Sequence, residues 1–401
     1  MSKAAKDIVI VSGCRTAIGK FGGTIKDFRA HQLGGIVMNE AIKRAGIDKG
    51  MVDEIVMGDC VQCPDEANTA RTAALTAGFP VEVPAYTIQK QCSSSMQALA
   101  SARQQIIADD AEIMLVVGTE SMSNAPYVLP EARWGQRLMD GKLVDALWEM
   151  LHSGSTFLKE RMIMGQTAEK LATIHSITRE EQDEIAFRSH LNAEAATNSG
   201  KFADEIVPVT VKTRKGEIVF DKDEHIRFGI KMDDLSRLKP TFIRDSGTVT
   251  AGNSSGLNDG AAAAVIMTRA KAEELGVRPL AKIVGITSAG VDPTIMGYGP
   301  VPAIEKLLKK TGRKLEEVGL LEVNEAFAAQ YIACEKALNL NREITNVNGS
   351  GIGLGHPVGC TGLRIVISLM NEMIRRGEMY GIASLCVGGG MGLATLLELE
   401  D

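Results

Sequence analysis

Asn348-Gly349-Ser350-Gly351-Ile352-Gly353-Leu354-Gly355-His356-Pro357-Val358-Gly359 and, thirty residues after its histidine (386 − 356), Cys386-Val387-Gly388-Gly389-Gly390-Met391-Gly392 decide how this chain is built. Glycine weakens helices and strands, so such density serves a local purpose. The expected purpose is backbone brought close to a ligand, with N–H groups aimed at it. Each block sets one reactive side chain, an imidazole or a thiol, among residues that have almost no side chain. Between the blocks the pattern predicts a helix over 362–376 and a strand over 380–386, with a strand over 344–348 leading in.

The same interval occurs in the first third of the chain. Gln91-Cys92-Ser93-Ser94-Ser95-Met96-Gln97-Ala98 follows a short strand, 85–88, and Cys92 precedes Met122 by thirty residues (122 − 92). Again a small-residue turn, a helix (94–108) and a strand (112–118) fill the interval. Two halves related by a pseudo-dyad follow, each with a reactive residue at a strand-to-helix junction. The repeat lies in structure and not in side-chain identity. Apolar runs alternate with helical stretches elsewhere too, with strands predicted over 7–12, 54–58, 281–286 and 320–323 and helices over 33–45, 67–77 and 302–310. An α/β fold on largely buried sheets is the result. Residues 121 to about 244 differ: they hold both tryptophans, four of the six histidines and many charges. They read as a loop-rich insertion with a polar helix over 178–199 and a hairpin from 206–211 and 217–220.

Composition narrows the function. A net charge of −6, with no basic run longer than pieces such as Lys212-Thr213-Arg214-Lys215, argues against nucleic acid. Glu112–Val117 is strand-sized, and no apolar stretch reaches membrane-span length. The N-terminus enters a strand with no signal segment ahead of it, and seven cysteines without a secreted disulfide pattern point to the reducing cytoplasm.

Two thiols and a histidine in tight turns suit thiol-based acyl chemistry. Cys92 at a helix N-terminus would favour thiolate, although a free cysteine is more often a small buried hydrophobe. His356, bracketed by glycines, would take a thiol's proton; the plain alternative is a surface turn. Glycines after Cys386 would let N–H groups face an oxyanion. Asn324, after the strand 320–323, reads as a helix N-cap or a holder of a substrate oxygen. Cys60-Val61-Gln62-Cys63 lacks the second Cys or His pair that zinc requires, so no metal site is expected, and it reads as a loop with two unpaired thiols or a redox pair.

Together these blocks resemble the thiolase family over nearly the whole chain. Arg15–Gly23, Gln91–Ser94, Gly118–Ser123, Met164–Glu169, Thr250–Ala261, Asn324–Phe327, Gly355–Pro357 and Cys386–Gly392 match its motifs in order. The resemblance implies a five-layered αβαβα fold: an N-terminal half of 1–121 plus 245–274, a loop domain of 122–244 and a C-terminal half of 275–401. It implies acyl exchange between CoA and 3-ketoacyl-CoA through Cys92, with His356, Cys386, Asn324 and Gly388 completing the catalytic set. Arg227, Leu238, Phe242 and Ser255 would meet CoA, while Met164, Met296 and Phe327 border the acyl pocket. CoA would enter as a substrate, with no tightly bound cofactor. A homodimer or homotetramer is implied, with 127–151 as the arm between dimers. Ser95 and Ser350 stand where the family has glycine, and are expected to add bulk near the active-site backbone. Ile163 stands where short-chain biosynthetic members have histidine. The rivals are a decarboxylating condensing enzyme, which would need His or Asn in place of Cys386, and a non-catalytic CoA- or lipid-binding subunit, which would lack part of the catalytic set.

Overall fold

The computed structural model describes residues 3–153 and 158–400. Its first half contains β1 (Ile8–Thr16), α1 (Ala30–Ala45), β2 (Glu54–Asp59), α2 (Thr69–Thr76), β3 (Ala85–Ile88), α3 (Ser94–Ile107) and β4 (Ile113–Ser121). After the insertion, with its α4 (Met164–Ile174) and α5 (Arg179–Asn198), β5 (Asn258–Thr268) returns to the same sheet. The second half runs β6 (Ala281–Gly290), α6 (Pro300–Thr311), β7 (Leu320–Val323), α7 (Ala328–Leu338), α8 (Val358–Arg376), β8 (Tyr380–Val387) and β9 (Met391–Leu399).

Strand order makes the duplication visible. It reads β3-β2-β4-β5-β1 in one half and β6-β9-β8-β7 in the other, joined where Val9 and Ile10 pair with Lys282 and Ala281. Thus β1, β2, α3, β4 and β5 correspond to β6, β7, α8, β8 and β9. Cys92 precedes α3 as His356 precedes α8.

Five layers follow from which side chains meet. Along β5, Ala261, Ala263, Val265 and Met267 enter the cluster that holds Leu33 and Val37 of α1. Ala262, Ala264 and Ile266 enter a second cluster, with Leu99 of α3 and Leu363 and Ile367 of α8. That alternation is the strand period of two, with helices on both faces. A third cluster packs Ile304 of α6 and Ile332 of α7 on the far side of the second half. The central pair α3 and α8 therefore lies between the two halves, and both reactive turns open at its ends.

The sequence reading assigned no strand to Asn258–Thr268 or Met391–Leu399, yet both are nine or more residues of strand. Ala261–Ala264 have low strand propensity, and burial on both faces outweighs it. The strand expected over 344–348 does not form; only a bridge joins Thr345 to Leu321. Asn346 has φ +52° there, and its amide takes over the pairing: Nδ2 donates to the Val323 carbonyl (2.8 Å) and Oδ1 accepts from the Val323 N–H (2.9 Å). The expected hairpin is shifted along the chain, Val209–Thr213 with Gly216–Phe220, because Ile206 and Val207 pair in parallel with Arg15 and Thr16 of β1.

A buried ion network fastens the insertion to β1. Arg15 donates to Glu205 (2.7 Å) and, in bidentate fashion, to Asp223 (2.7 and 2.9 Å), with all three side chains inaccessible or nearly so.

Candidate active site

The chain turns from β3 toward α3 through Gln91, whose φ of +48° is a conformation that non-glycine residues rarely hold. Ser94 secures the turn, donating to the Gln91 carbonyl (2.7 Å) and accepting the Lys90 N–H (2.9 Å). Cys92 is thereby delivered to the N-terminal end of α3. Burial pushes its thiol up to about 11, against the opposing pull of the backbone N–H groups of Gly388 and of Cys92 itself. The helix terminus therefore does not make a resting thiolate here; desolvation outweighs it.

His356 is held from both ends. Its N–H donates to Asn258 Oδ1 (2.9 Å), and its Nδ1 lies 2.7 Å from Thr361 Oγ1. Thr361 has one hydroxyl proton and gives it to the Pro357 carbonyl (2.8 Å). Its oxygen must then accept from Nδ1–H, an assignment made from the network. Nε2 is left with a lone pair. Burial, with Arg364 nearby, lowers the imidazole to about 3, so the ring is a neutral base at pH 7.

Cys386 ends β8 and is fully buried, which, with Cys92 beside it, drives its thiol well above the ordinary range. Met164, Met296, Ala326 and Phe327 enclose it. A Cβ at Gly388 would stand 2.6 Å from Met164 Cε and 3.1 Å from Gln91 Oε1, so a side chain there would push on both. Neither amide atom of Asn324 bonds to a described protein atom, and both are buried. That amide lies against Gly351, where a Cβ would be 2.8 Å from its Oδ1. A buried amide unused by the protein suits a water or a substrate oxygen.

A second tier supports both turns. Glu120, at the end of β4, accepts the Cys60 N–H (3.3 Å), the Val61 N–H (3.1 Å) and the Gly359 N–H (2.7 Å). Ser95 donates to the Cys360 carbonyl (3.0 Å) and accepts the Leu363 N–H (2.9 Å). The serine expected to crowd the active-site backbone instead ties α3 to α8; glycines 58 and 118 supply its space. Ser350 has a buried hydroxyl with no described partner. Cys60 faces Gln89 and Gln91, whereas Cys63 donates to the Asn124 carbonyl, and all seven cysteines are free thiols.

Most glycines of the histidine block serve protein packing, contrary to the ligand-approach expectation. A Cβ at Gly349 or Gly353 would stand 2.6 or 2.5 Å from the Ser189 carbonyl of α5, and one at Gly351 would stand 2.6 Å from the Glu325 carbonyl. Gly388 is the position in the second block that faces the chemistry.

A cavity of about 520 Å3 joins Cys92 and His356 to Arg227, Phe242, Ser255, Met164, Met296 and Phe327. Cys386 and Gly388 lie behind Met164. Leu238 is not on the cavity wall; it packs over Gly252, where a Cβ would be 2.4 Å from it. Phe242 covers Gly165 and meets Phe327 edge-on, centroids 6.1 Å apart. Ile163, Trp148, Met150, Leu151 and His225 also line the space. Sequence reasoning passed over Trp148, Met150 and Leu151 as cavity residues because they lie in the charged insertion, and over Thr361 and Asn258 because nothing in sequence marks their contact with His356.

This arrangement coincides with a known family. The thiolase N-terminal domain model matches residues 8–270, and the thiolase C-terminal domain model matches 277–399. The chain belongs to the thiolase family. An acetyl-CoA acetyltransferase of Syntrophomonas wolfei is 48% identical over 397 residues, covering 98% of this chain and 99% of the relative. The crystal structure of the Bacillus anthracis acetyl-CoA acetyltransferase superposes with a TM-score of 0.96 at 54% identity, over the full length of both chains. Human mitochondrial 3-ketoacyl-CoA thiolase in complex with CoA superposes with a TM-score of 0.94 at 41% identity, over 99% of each chain. This thiolase is an acyltransferase, and the non-catalytic reading has no support: the two thiols, the imidazole and the unpaired amide are all present.

Proposed function

We propose that this thiolase moves acyl groups between CoA and 3-ketoacyl-CoA through an acyl-Cys92 intermediate, with each step carried by the residues above. The reading rests chiefly on one observation: one cavity joins the Cys92 thiol to the His356 imidazole, and the backbone N–H pair of Cys92 and Gly388 lies beside it, Gly388 packing against Gln91. In the degradative direction Cys92 attacks the keto carbon as its proton passes to Nε2 of His356. The N–H pair would hold the tetrahedral oxyanion, and aimed donors of this kind contribute about 3–4 kcal/mol each to lowering a barrier. The Cα–C bond then breaks, and Cys386 protonates the departing acetyl-CoA enolate. His356 and a water on Asn324 would stabilise the enolate oxygen. CoA next takes the acyl group from Cys92, its thiol proton passing to the Cys386 thiolate while His356 returns a proton to the Cys92 sulfur. In the reverse direction Cys386 removes the α-proton of acetyl-CoA. A neutral thiol and neutral imidazole at rest suit this scheme, since charge then appears only during reaction.

Arg227, Ser255 and Phe242 are assigned to CoA, the guanidinium toward its phosphates, with Leu238 backing the entrance from behind Gly252. Met164, Met296 and Phe327 are assigned to the acyl end, where apolar Ile163 leaves room for chains longer than acetyl. The domain division is 1–121 with 245–274, 122–244 and 275–401. A homodimer or homotetramer is the proposed assembly: Trp134, Leu138 and Met139 of the arm are each about 85% exposed, which is apolar surface suited to a partner. Two-carbon shortening or extension of acyl chains places the enzyme in fatty-acid metabolism, and seven free thiols favour the cytoplasm.

The test is thiolysis by the purified protein with CoA against 3-ketoacyl-CoA esters of increasing chain length, with Cys92→Ala as control. Turnover that requires Cys92 supports the reading. Solvent deuterium entering acetyl-CoA separates the thiols: Cys386→Ala should lose this exchange yet still acylate Cys92. Normal exchange by Cys386→Ala would show the acid/base assignment to be wrong.

A further inference from the structure

Residues 223–227 form a strap from the buried core of the first half to the cavity. Asp223 is held by Arg15 and by the Ile18 N–H (2.8 Å). Glu224 accepts the Lys20 N–H (2.9 Å) and the Thr24 hydroxyl (2.7 Å). Ile226 is buried in the core, and Arg227 reaches the cavity wall. His225, between them, also faces the cavity, and no catalytic or binding role has been given to it so far.

Its ring lies flat on the chain before Asn258. A Cβ at Gly256 would be 2.3 Å from His225 Cε1, so only glycine allows the approach. His225 Nδ1 is 3.5 Å from Asn258 Nδ2, at the long end for a hydrogen bond. One Asn258 N–H goes to the Gly19 carbonyl (2.9 Å), and the second is turned to His225. The Ile352 carbonyl also acts on the ring, pulling it up against burial. The tautomer that meets Asn258 has Nδ1 accepting and its proton on Nε2.

Asn258 also holds His356. Asn258 Oδ1 accepts the His356 N–H, and Ile352 belongs to the helical turn Gly351–Leu354 that leads into it. Behind His225 stands His190, its ring 6.3 Å away and 28° from parallel, with Nδ1 accepting the Arg227 N–H (3.3 Å). Burial, with Arg227 adding to it, lowers His190 to about 3 and His225 to about 4. Both rings are neutral at working pH and act as fixed hydrogen-bonding groups.

We propose that His225 is a positioning residue for the catalytic imidazole, holding the His356 turn from the cavity side through Asn258. The inference rests on His356 being the base. Because Arg227 is two residues along the same strap, the group that meets CoA and the group that steadies the base share one rigid support.

His225→Phe keeps a ring on Gly256 and removes the acceptor facing Asn258, whereas His225→Gln keeps an acceptor there. The full-length variants are compared by thiolysis of acetoacetyl-CoA with CoA, and by the rate at which iodoacetamide labels the Cys92 peptide at pH 7. The expected result for His225→Phe is a kcat lower by roughly ten- to a hundredfold, the scale of a slightly misplaced reacting group. Its KM for CoA should stay near the wild-type value, and Cys92 labelling should slow in parallel. His225→Gln should restore most of the lost kcat. A wild-type kcat in His225→Phe, a change confined to KM, or no rescue by Gln would each overturn the proposal. Should Phe fail to fold, as judged by circular dichroism, His225→Ala is read against Gln by the same criteria. His356→Ala keeps the two readings apart: if it leaves thiolysis and labelling intact, the base assignment is at fault and not the strap.

Discussion

Replacing Thr361 by valine tests the tautomer on which the chemistry depends. The side chain is fully buried, and valine fills nearly the same volume, so the main loss is a hydroxyl 2.7 Å from His356 Nδ1. The Nδ1–H is then buried without an acceptor, at a cost of about 1–3 kcal/mol. The ring escapes by moving its proton to Nε2, the atom that must receive the thiol proton. Regaining the competent tautomer costs the same amount, and at about 1.4 kcal/mol per tenfold that lowers kcat by roughly 5- to 150-fold. Steady-state thiolysis of acetoacetyl-CoA measures it, with Thr361→Ser as the control that keeps the hydroxyl. The KM for CoA should barely move, because Thr361 does not line the cavity. A Thr361→Val enzyme with wild-type kcat, or a Thr361→Ser enzyme equally impaired, would refute the reasoning.

Gly165→Ala must displace Phe242, whose ring carbons stand 2.3 Å from the added Cβ; a raised KM for CoA with an unchanged circular dichroism spectrum is expected. Arg15→Ala leaves Glu205 and Asp223 buried without their cation, and urea unfolding should show a loss of about 3–5 kcal/mol. Asp59 is raised to about 7, chiefly by burial. Between the ordinary carboxylate range and that value the folded chain keeps a proton that the unfolded chain releases, so its contribution to stability falls as pH rises toward 7. Asp59→Asn should flatten that part of the stability–pH curve. Burial also holds the Cys92 thiol near 11, so iodoacetamide labelling of the free enzyme should stay slow from pH 7 to 9 and rise toward pH 11; a plateau already at pH 7 would mean a resting thiolate.

The reactive residues were legible as a sequence because chemistry restricts residue type and local turns restrict neighbours. Cys92, His356 and Cys386 each stand in a short block of glycine or serine, and the equal thirty-residue intervals disclose the duplication. Short-range pattern also located the buried strands Ile113–Ser121 and Tyr380–Val387, since their apolar runs are continuous. Contacts across the fold were another matter. Asn258–Thr268 is a central strand only because helices cover both its faces, and residues 344–348 fail to become one because the Asn346 side chain takes over the pairing. The glycines of the histidine block suggested ligand approach, yet three of them make room for α5 and the Glu325 backbone. The protonation state of Cys92, the tautomer of His356 and the role of Ser95 depend on burial and on partners, which for Ser95 lie 265 and 268 residues away. Residue type and spacing are local properties that a sequence carries outright. Desolvation, hydrogen-bond partnership and free space arise only once distant segments pack, and at this site those decide how the thiols and the imidazole work.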